Sequence, residues 1–289
     1  MASSQLVQVG DGRTLAVETW GDPDGRPVFL LHGTPGSRVG PSPRSSVLYR
    51  LGVHLISFDR PGYGESTRLP GRKVASAAAD VEAIADALGI DGFAVLGRSG
   101  GGPHALACAA LLAGRVRRAA VLVSLAPRNA DGLDWYAGMT ASNERAYHEA
   151  ELGPHRFAAS FQAKSRRMKA DPAAVIDGLV PELPLTDRVV VTDSGIRRRL
   201  LSTYAAAFHY SADGWIDDAL AFTTDWGFKV EDITVPVRLW HGADDQFSPV
   251  EHSRWLAEHI PGAELYLEPG AAHFGALAVL TEALRWAAG

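Results

Sequence analysis

One short segment of the sequence has the composition of a nucleophilic turn, Gly97-Arg98-Ser99-Gly100-Gly101. An apolar run at 93–96 precedes it and predicts a buried strand, and an alanine-rich run at 103–113 follows it and predicts a helix. A serine on the sharp turn between them would expose its hydroxyl above the sheet edge, and glycines tolerate the strained, crowded backbone of such a turn. The segment indicates nucleophilic catalysis by Ser99, although five such residues in a glycine-rich chain also occur as an ordinary turn.

A serine hydroxyl becomes a nucleophile when a base accepts its proton and a third group orients that base. In folds with this turn, the order along the chain is serine, acid and histidine. Of the ten histidines, His273 has the expected position, in a glycine-containing loop after the last predicted strand. Asp244 and Asp245 follow the preceding strand, and both are candidates for the acid. Asp131 or Asp134, after the sixth strand, is a further alternative.

The tetrahedral intermediate of acyl transfer also needs hydrogen-bond donors for its oxyanion. One predicted donor is the backbone N–H of Gly100, at the start of the helix that follows the serine. The second is expected from the loop His32-Gly33-Thr34-Pro35-Gly36, which follows an apolar run at 28–31. We choose the N–H of Thr34 in this loop, because Pro35 has no N–H to donate.

Strand-length apolar runs alternate with helix-length amphipathic segments along most of the chain. This alternation predicts an α/β fold with a mostly parallel sheet that is covered by helices on both faces. The expected strands, of which the first two form a hairpin, are 6–9, 15–19, 28–31, 53–58, 93–96, 119–124, 235–240 and 263–267. The expected helices are 74–88, 103–112, 253–259 and 276–287.

The alternation lapses between residues 127 and 230. This stretch contains helical patches at 143–151, 156–169, 196–207 and 214–222, without a convincing parallel strand. Because structureless loops of this length are rare, we interpret 127–230 as a helical lid inserted into a core formed by 1–126 and 231–289. The lid is rich in aromatic residues, some of which we expect to face an apolar pocket. Our candidates for substrate contacts are Arg98, Trp135, Phe208 and Trp215.

The composition is that of an ordinary globular protein, with 289 residues, 46% hydrophobic and 21% charged. The net charge of −5 does not indicate the excess of positive charge that is typical of proteins that bind nucleic acid or anionic membranes. The first ten residues lack a signal-peptide pattern, and no apolar run approaches the ~20 residues of a membrane span, so we expect a cytoplasmic protein. The single cysteine, Cys108, excludes an intrachain disulfide.

Metal-ligand spacings such as His-x-x-x-His and a phosphate-binding GxxxxGK loop do not occur in the sequence. We therefore expect neither a metal nor a cofactor, and a small-molecule substrate as the partner. The sequence carries no signal for an oligomeric state.

Taken together, the chain resembles the α/β-hydrolase fold superfamily, in its branch of esterases and proline-iminopeptidase-like enzymes. The motifs that carry the resemblance are residues 32–36, Phe58-Asp59-Arg60-Pro61-Gly62-Tyr63-Gly64-Glu65-Ser66, the Ser99 turn, Gly242-x-x-Asp245-x-x-x-Pro249 and Gly270-x-x-His273-Phe274. The resemblance implies an eight-stranded sheet, a lid after the sixth strand and a triad of Ser99, Asp245 and His273. It also implies that residues 59–66 form a structural loop near the site.

The activity that the resemblance implies is hydrolysis of a carboxylic ester, a lactone or a related acyl bond through an acyl-enzyme. C–C bond hydrolases, aminopeptidases and cofactor-free haloperoxidase-like enzymes use the same triad and stay open as alternatives, as does a non-catalytic small-molecule receptor of this fold. Arg98 and the run Gly100-Gly101-Gly102 depart from the bulkier residues common at this turn. We expect the glycines to widen the pocket, and Arg98 to contact a polar substrate group or to pair with an acid.

Overall fold

The computed structural model describes residues 3–289, apart from the side chains at positions 154–156, 158 and 175. Within these residues one sheet contains eight strands, which are β1 (Ser3–Gln8), β2 (Thr14–Gly21), β3 (Arg26–Leu31), β4 (Val53–Phe58), β5 (Phe93–Arg98), β6 (Val116–Leu122), β7 (Val237–Gly242) and β8 (Glu264–Glu268). Their order across the sheet is β1-β2-β4-β3-β5-β6-β7-β8. β2 is antiparallel to both neighbours, and the other neighbouring pairs are parallel. The predicted eight-stranded, mostly parallel α/β sheet is confirmed.

Helices cover both faces of the sheet and fill the segment between β6 and β7. In the described part of the chain, the helices beside the sheet are α1 (Ser45–Arg50), α2 (Ser76–Ala87), α3 (Gly101–Leu111), α10 (Val250–His259) and α11 (Ala276–Ala288). Those between β6 and β7 are α4 (Ala141–Glu151), α5 (Pro154–Ala170), α6 (Pro172–Leu179), α7 (Leu185–Thr192), α8 (Ser194–Ala207) and α9 (Asp213–Phe222). We call these six helices the lid. All six lie within residues 127–230, the segment for which the sequence predicts an inserted lid.

The central strands β3, β4 and β5 are largely apolar because both faces of the sheet are buried there. In β3, Val28 and Leu30 belong to a core that includes Leu280 and Leu284 of α11. Their neighbour Phe29 points to the opposite core, in which residues of α2 and α3 pack. Alternation along each strand therefore divides the apolar residues between two layers of helices.

Three helices were not predicted from the apolar periodicity, namely α1, α6 and α7. Each has eight residues or fewer, which is too short for a periodic pattern to stand out. The start of α6 nevertheless carries a recognisable signal. The Asp171 carboxylate accepts hydrogen bonds from the N–H groups of Ala173 and Ala174, and Pro172 occupies the first helical position.

The glycines after Ser99 permit a close approach between α3 and the sheet. A methyl group added at Gly101 would lie 2.1 Å from the carbonyl oxygen of Leu31, and one added at Gly102 would lie 2.4 Å from Ser124 Oγ. Both glycines are buried. Our expectation that the glycine run widens the pocket is therefore wrong for Gly101 and Gly102, which make room for backbone and for a core side chain.

A buried ion network joins the lid to the sheet. Asp218 of α9 is fully buried, and it bonds Arg60 Nη2 at 2.5 Å and Arg72 Nη2 at 2.7 Å. The Tyr63 hydroxyl donates to the same carboxylate at 2.9 Å. Burial opposes ionisation of Asp218, but the charges of Arg60 and Arg72 outweigh it and hold the pKa of this carboxyl well below its usual range. The aspartate is therefore a fixed anion at the junction between lid and sheet.

The same network holds the loop that follows β3. The Arg60 guanidinium donates to the carbonyl oxygens of His32 and Gly33 and, at 2.9 Å, to Thr34 Oγ1. The Thr34 hydroxyl in turn donates to Asp218 at 2.5 Å. Asp218 of the lid thus helps to position residues 32–34, directly through Thr34 and indirectly through Arg60, although the lid is distant from them in the sequence.

No helix among residues 3–289 combines the length and the apolar character needed to cross a lipid bilayer.

We predict that Asp218→Asn destabilises the fold by about 3–5 kcal/mol, because it leaves the buried Arg60 and Arg72 without an anionic partner. The measurement is the free energy of unfolding from urea denaturation. The control is Asp225→Asn, which removes an exposed carboxylate that bonds the exposed Lys73 at 2.7 Å. The control should cost about 1 kcal/mol or less. Equal losses in the two variants would contradict the role of Asp218.

Candidate active site

Ser99 occupies the turn between β5 and α3 in a strained conformation. Its φ is +55°, and Ser99 and Val123 are the non-glycine residues with positive φ in the described part of the chain. Such a conformation costs roughly 1–3 kcal/mol and persists where the surroundings enforce it. Here the Ser99 N–H donates to the carbonyl oxygen of Leu122 in β6 at 2.8 Å. The turn directs the Ser99 hydroxyl away from the sheet, as the sequence predicts for a nucleophile.

The structure brings Ser99 together with the predicted base and acid. Ser99 Oγ lies 2.9 Å from His273 Nε2, and His273 Nδ1 lies 2.8 Å from Asp245 Oδ2. Asp245 follows β7 and His273 follows β8, so both lie at the carboxyl ends of parallel strands, at the same edge of the sheet as Ser99. In this arrangement His273 donates its Nδ1–H to Asp245, and its Nε2 accepts the hydroxyl proton of Ser99.

Asp245 is buried and held in one orientation by its neighbours. Its Oδ1 accepts the N–H groups of Phe247 at 2.8 Å and Ser248 at 3.0 Å. Its Oδ2 lies 3.2 Å from Nε2 of the buried His241. Burial of the Asp245 carboxyl opposes its ionisation, but the interactions with His273 and His241 outweigh burial and keep its pKa well below the usual range. The carboxylate is therefore ionised where it meets His273.

The alternative acids lie elsewhere. Asp244 is exposed, and its backbone N–H donates to the carbonyl oxygen of Ala271 at 2.9 Å. It thereby ties the loop after β7 to the loop that carries the histidine. Asp131 and Asp134 are exposed as well. None of these three makes a side-chain hydrogen bond to His273 among the described residues, so the geometry favours Asp245.

The two predicted oxyanion donors adjoin each other beside Ser99. Thr34 and Gly100 both line the cavity above the serine. A methyl group added at Gly100 would collide with Thr34 Oγ1 at 2.2 Å, so this glycine is required for the contact. Neither the Thr34 N–H nor the Gly100 N–H has a hydrogen-bond acceptor within residues 3–289. Two unpaired donors at one point of the wall, one of them at the N-terminus of α3, form a suitable oxyanion site.

A cavity of about 690 Å³ lies between the lid and the carboxyl edge of the sheet. Ser99 and His273 lie in its wall, together with Arg98 and Trp215, which were both predicted as substrate contacts. Much of the remaining wall is apolar, with Leu125, Tyr147, Phe161, Met168 and Phe274. Such a cavity suits a small molecule that is partly apolar.

Trp135 and Phe208 require a correction, because neither lines this cavity. Trp135 is 2% exposed, and its indole N–H donates to the carbonyl oxygen of Ala126 at 2.8 Å. Phe208 is 1% exposed and packs behind Trp215, with 5.5 Å between ring centroids. Both are core residues. Aromatic content indicated a pocket in the lid, but it could not separate rings that face the cavity from rings that pack behind them.

Two functional residues were missed by the sequence analysis, Asp187 and Arg60. Asp187 of α7 is buried, and its Oδ1 accepts the N–H of Phe274 at 2.9 Å, which holds the residue next to His273. Burial raises the pKa of Asp187. No local signal marks Asp187, since α7 itself escaped prediction. Arg60 lies in the loop 59–66, which the sequence analysis assigned to structure without a role for this side chain.

Histidine, cysteine and acidic side chains are not grouped in threes or more in a way that could hold a metal ion, as far as the described residues extend. The other histidines near Ser99 are engaged in the fold. Nε2 of His32 accepts a hydrogen bond from the backbone N–H of Arg60, and burial holds the pKa of His32 well below the usual range. His104 contacts the carbonyl oxygen of Gly100, and burial lowers its pKa to about 3. Both rings are therefore neutral supports of the turn and the loop.

Comparison with known proteins agrees with this architecture. The family model described as "alpha/beta hydrolase fold" matches residues 26–277. A non-heme chloroperoxidase from Streptomyces lividans is 30% identical, with 92% of each chain covered. A bifunctional esterase/perhydrolase from Acinetobacter calcoaceticus is 27% identical over the same shares. The crystal structure of a hydrolase from Pseudomonas aeruginosa superposes with a TM-score of 0.71 at 19% identity, covering 99% of this chain and 96% of that one. The chain therefore belongs to the α/β-hydrolase fold family.

Proposed function

We propose that this protein is a serine hydrolase that cleaves the carboxylic ester or lactone bond of a small, partly apolar molecule. The observation that carries the proposal is the contact between Ser99 Oγ and His273 Nε2, 2.9 Å long, in the wall of a largely apolar cavity. Similarity to a bifunctional esterase/perhydrolase supports ester chemistry.

The reaction proceeds in two halves. His273 accepts the hydroxyl proton as Ser99 Oγ attacks the ester carbonyl, and Asp245 stabilises the imidazolium that forms. The N–H groups of Thr34 and Gly100 stabilise the oxyanion. His273 then protonates the departing alcohol, which leaves an acyl-enzyme on Ser99. In the second half a water molecule, deprotonated by His273, attacks the acyl carbon and releases the acid.

The charge of the cavity favours this proposal over an aminopeptidase. An aminopeptidase must bind the ammonium group of its substrate close to the nucleophile, for which a carboxylate is the suitable partner. The side chain next to Ser99 is instead the cation Arg98. The carboxylate in the wall belongs to Asp171, whose Oδ1 is engaged by two backbone N–H groups at the start of α6.

We predict that Ser99→Ala abolishes covalent labelling by a fluorophosphonate probe and steady-state hydrolysis of 4-nitrophenyl butyrate, because no other hydroxyl in the described part of the chain is paired with His273. Labelling is read by intact-protein mass spectrometry, and the fold is checked by circular dichroism. Ser194→Ala, at an exposed position of α8, is the matched control and should keep both activities. Labelling that persists in Ser99→Ala would refute the assignment. Labelling of the wild type without turnover would instead identify a receptor.

We predict that Asp245→Asn lowers kcat by about 10⁴-fold, because an amide favours the wrong tautomer of His273. Asp244→Asn, the neighbouring carboxylate in the same loop, should change kcat by about threefold at most, as expected for an exposed side chain. Steady-state kinetics with 4-nitrophenyl butyrate measures both variants. A larger loss in Asp244→Asn would transfer the role to that residue.

A further inference from the structure

Arg98 brings a positive charge to the nucleophile. It is the last residue of β5 and directly precedes Ser99. Its guanidinium lies against the loop after β3, since a methyl group added at Gly33 would be 3.4 Å from Arg98 Nη2. Arg98, Gly33 and Tyr204 line the cavity together with Ser99. A cation therefore forms part of the wall immediately beside the reacting hydroxyl.

This guanidinium has no ion-pair partner among the residues that the structure describes. Arg98 is half-buried, whereas Arg60 and Arg72 are buried and both bond Asp218. By contrast, no carboxylate of the described residues lies within 4.0 Å of Arg98. Burial lowers the pKa of Arg98, with Tyr204 and Asp187 acting in the opposite direction. Asp187 is held in place by the Phe274 N–H. A partly desolvated guanidinium without a carboxylate partner is less favourable than a paired one, and an anionic ligand would supply that partner.

Two further cationic side chains and one carboxylate line the cavity. Lys164 and Arg167 of α5 line it three residues apart, on one face of the helix, and both are exposed at its mouth. Asp171 supplies a carboxylate to the wall, with one oxygen already bonded to the N–H groups of Ala173 and Ala174. Lys164 lies 3.8 Å from Glu149, whereas no carboxylate of the described residues lies within 4.0 Å of Arg98 or Arg167, so these two cations favour the entry of an anion.

We propose that the substrate is an ester that carries a carboxylate, and that Arg98 binds this carboxylate while Ser99 attacks the ester carbonyl. A guanidinium matches a carboxylate with two parallel N–H···O bonds, which orients as well as attracts it. A methyl group added at Gly33 would lie 3.4 Å from Arg98 Nη2 and 3.5 Å from Ser99 Cβ, so the guanidinium and the serine are close together and the carboxylate lies within a few bonds of the scissile carbonyl. The apolar wall takes the remainder of the molecule. This inference rests on the proposed function and names the substrate class for it.

The test compares kcat/KM for matched esters that differ in one charge. Mono-4-nitrophenyl glutarate against its methyl-capped diester places the carboxylate on the acyl side. 4-Acetoxybenzoate against its methyl ester places it on the alcohol side. The wild type should favour the anionic member of at least one pair by about tenfold or more. Arg98→Met should lower that ratio by at least about tenfold, and Arg98→Lys should retain part of it.

Arg166→Met is the matched control. It removes one positive charge from an exposed position on α5 that does not line the cavity, and it should keep the wild-type ratio. The inference is overturned if the neutral member is favoured in both pairs, or if the preference survives in Arg98→Met. A fall of both members by the same factor in Arg98→Met would also overturn it, since that result marks a role in the oxyanion site or in the fold.

A binding measurement separates this inference from the proposed function. In the Ser99→Ala background, which needs no turnover, calorimetry should detect glutarate or 4-hydroxybenzoate binding, and adding Arg98→Met should weaken it about tenfold or more. Thermal unfolding confirms that each variant is folded. Binding that depends on Arg98 without hydrolysis of any ester would support the anion site and refute the serine hydrolase. Hydrolysis of both members of each pair at equal rates would support the serine hydrolase and refute the anion site.

Discussion

The buried pair of Arg60 and Asp218 is the interaction on which the rest of the site depends. It joins side chains 158 residues apart, one from the loop after β4 and one from lid helix α9. Arg60 also holds the carbonyl groups of the loop after β3, and Thr34 donates to the same aspartate. The same pair of side chains therefore fixes both the contact between lid and sheet and the position of Thr34, the predicted oxyanion donor. A buried charge pair contributes little net stability compared with well-packed apolar residues of similar volume, although removal of one partner is costly. We therefore attribute the role of this pair to the geometry that it enforces.

The catalytic side of the cavity is built in a similar way, from loops that support one another. Asp245 is oriented by two backbone N–H groups and by His241, so its position does not rely on His273 alone. Lid residue Asp187 accepts the N–H of Phe274 and thus braces the loop that carries the histidine. The lid contributes an acid to each side of the site, with Asp218 near the oxyanion loop and Asp187 near the base. In both places it acts through positioning.

Much of the fold and the outline of the site could be predicted from the sequence, because the signals are local. Each predicted strand overlaps an observed one, and turn residues at strand ends indicated Ser99, Asp245 and His273, which the structure places in contact. The pairing of Arg60 with Asp218 has no local signature, since each residue alone resembles an ordinary surface charge. The same holds for Trp135 and Phe208, whose burial depends on which side of the lid they occupy. Long-range packing decided these cases.

The most direct test of the proposed mechanism is a crystal structure of the protein after reaction with a phosphonate inhibitor, whose tetrahedral adduct imitates the intermediate of acyl transfer. The mechanism predicts phosphorus bonded to Ser99 Oγ, with one phosphonyl oxygen about 2.7–3.1 Å from the N–H groups of both Thr34 and Gly100. Phosphorus on another residue would contradict it. So would an adduct on Ser99 whose oxygen points away from these two donors.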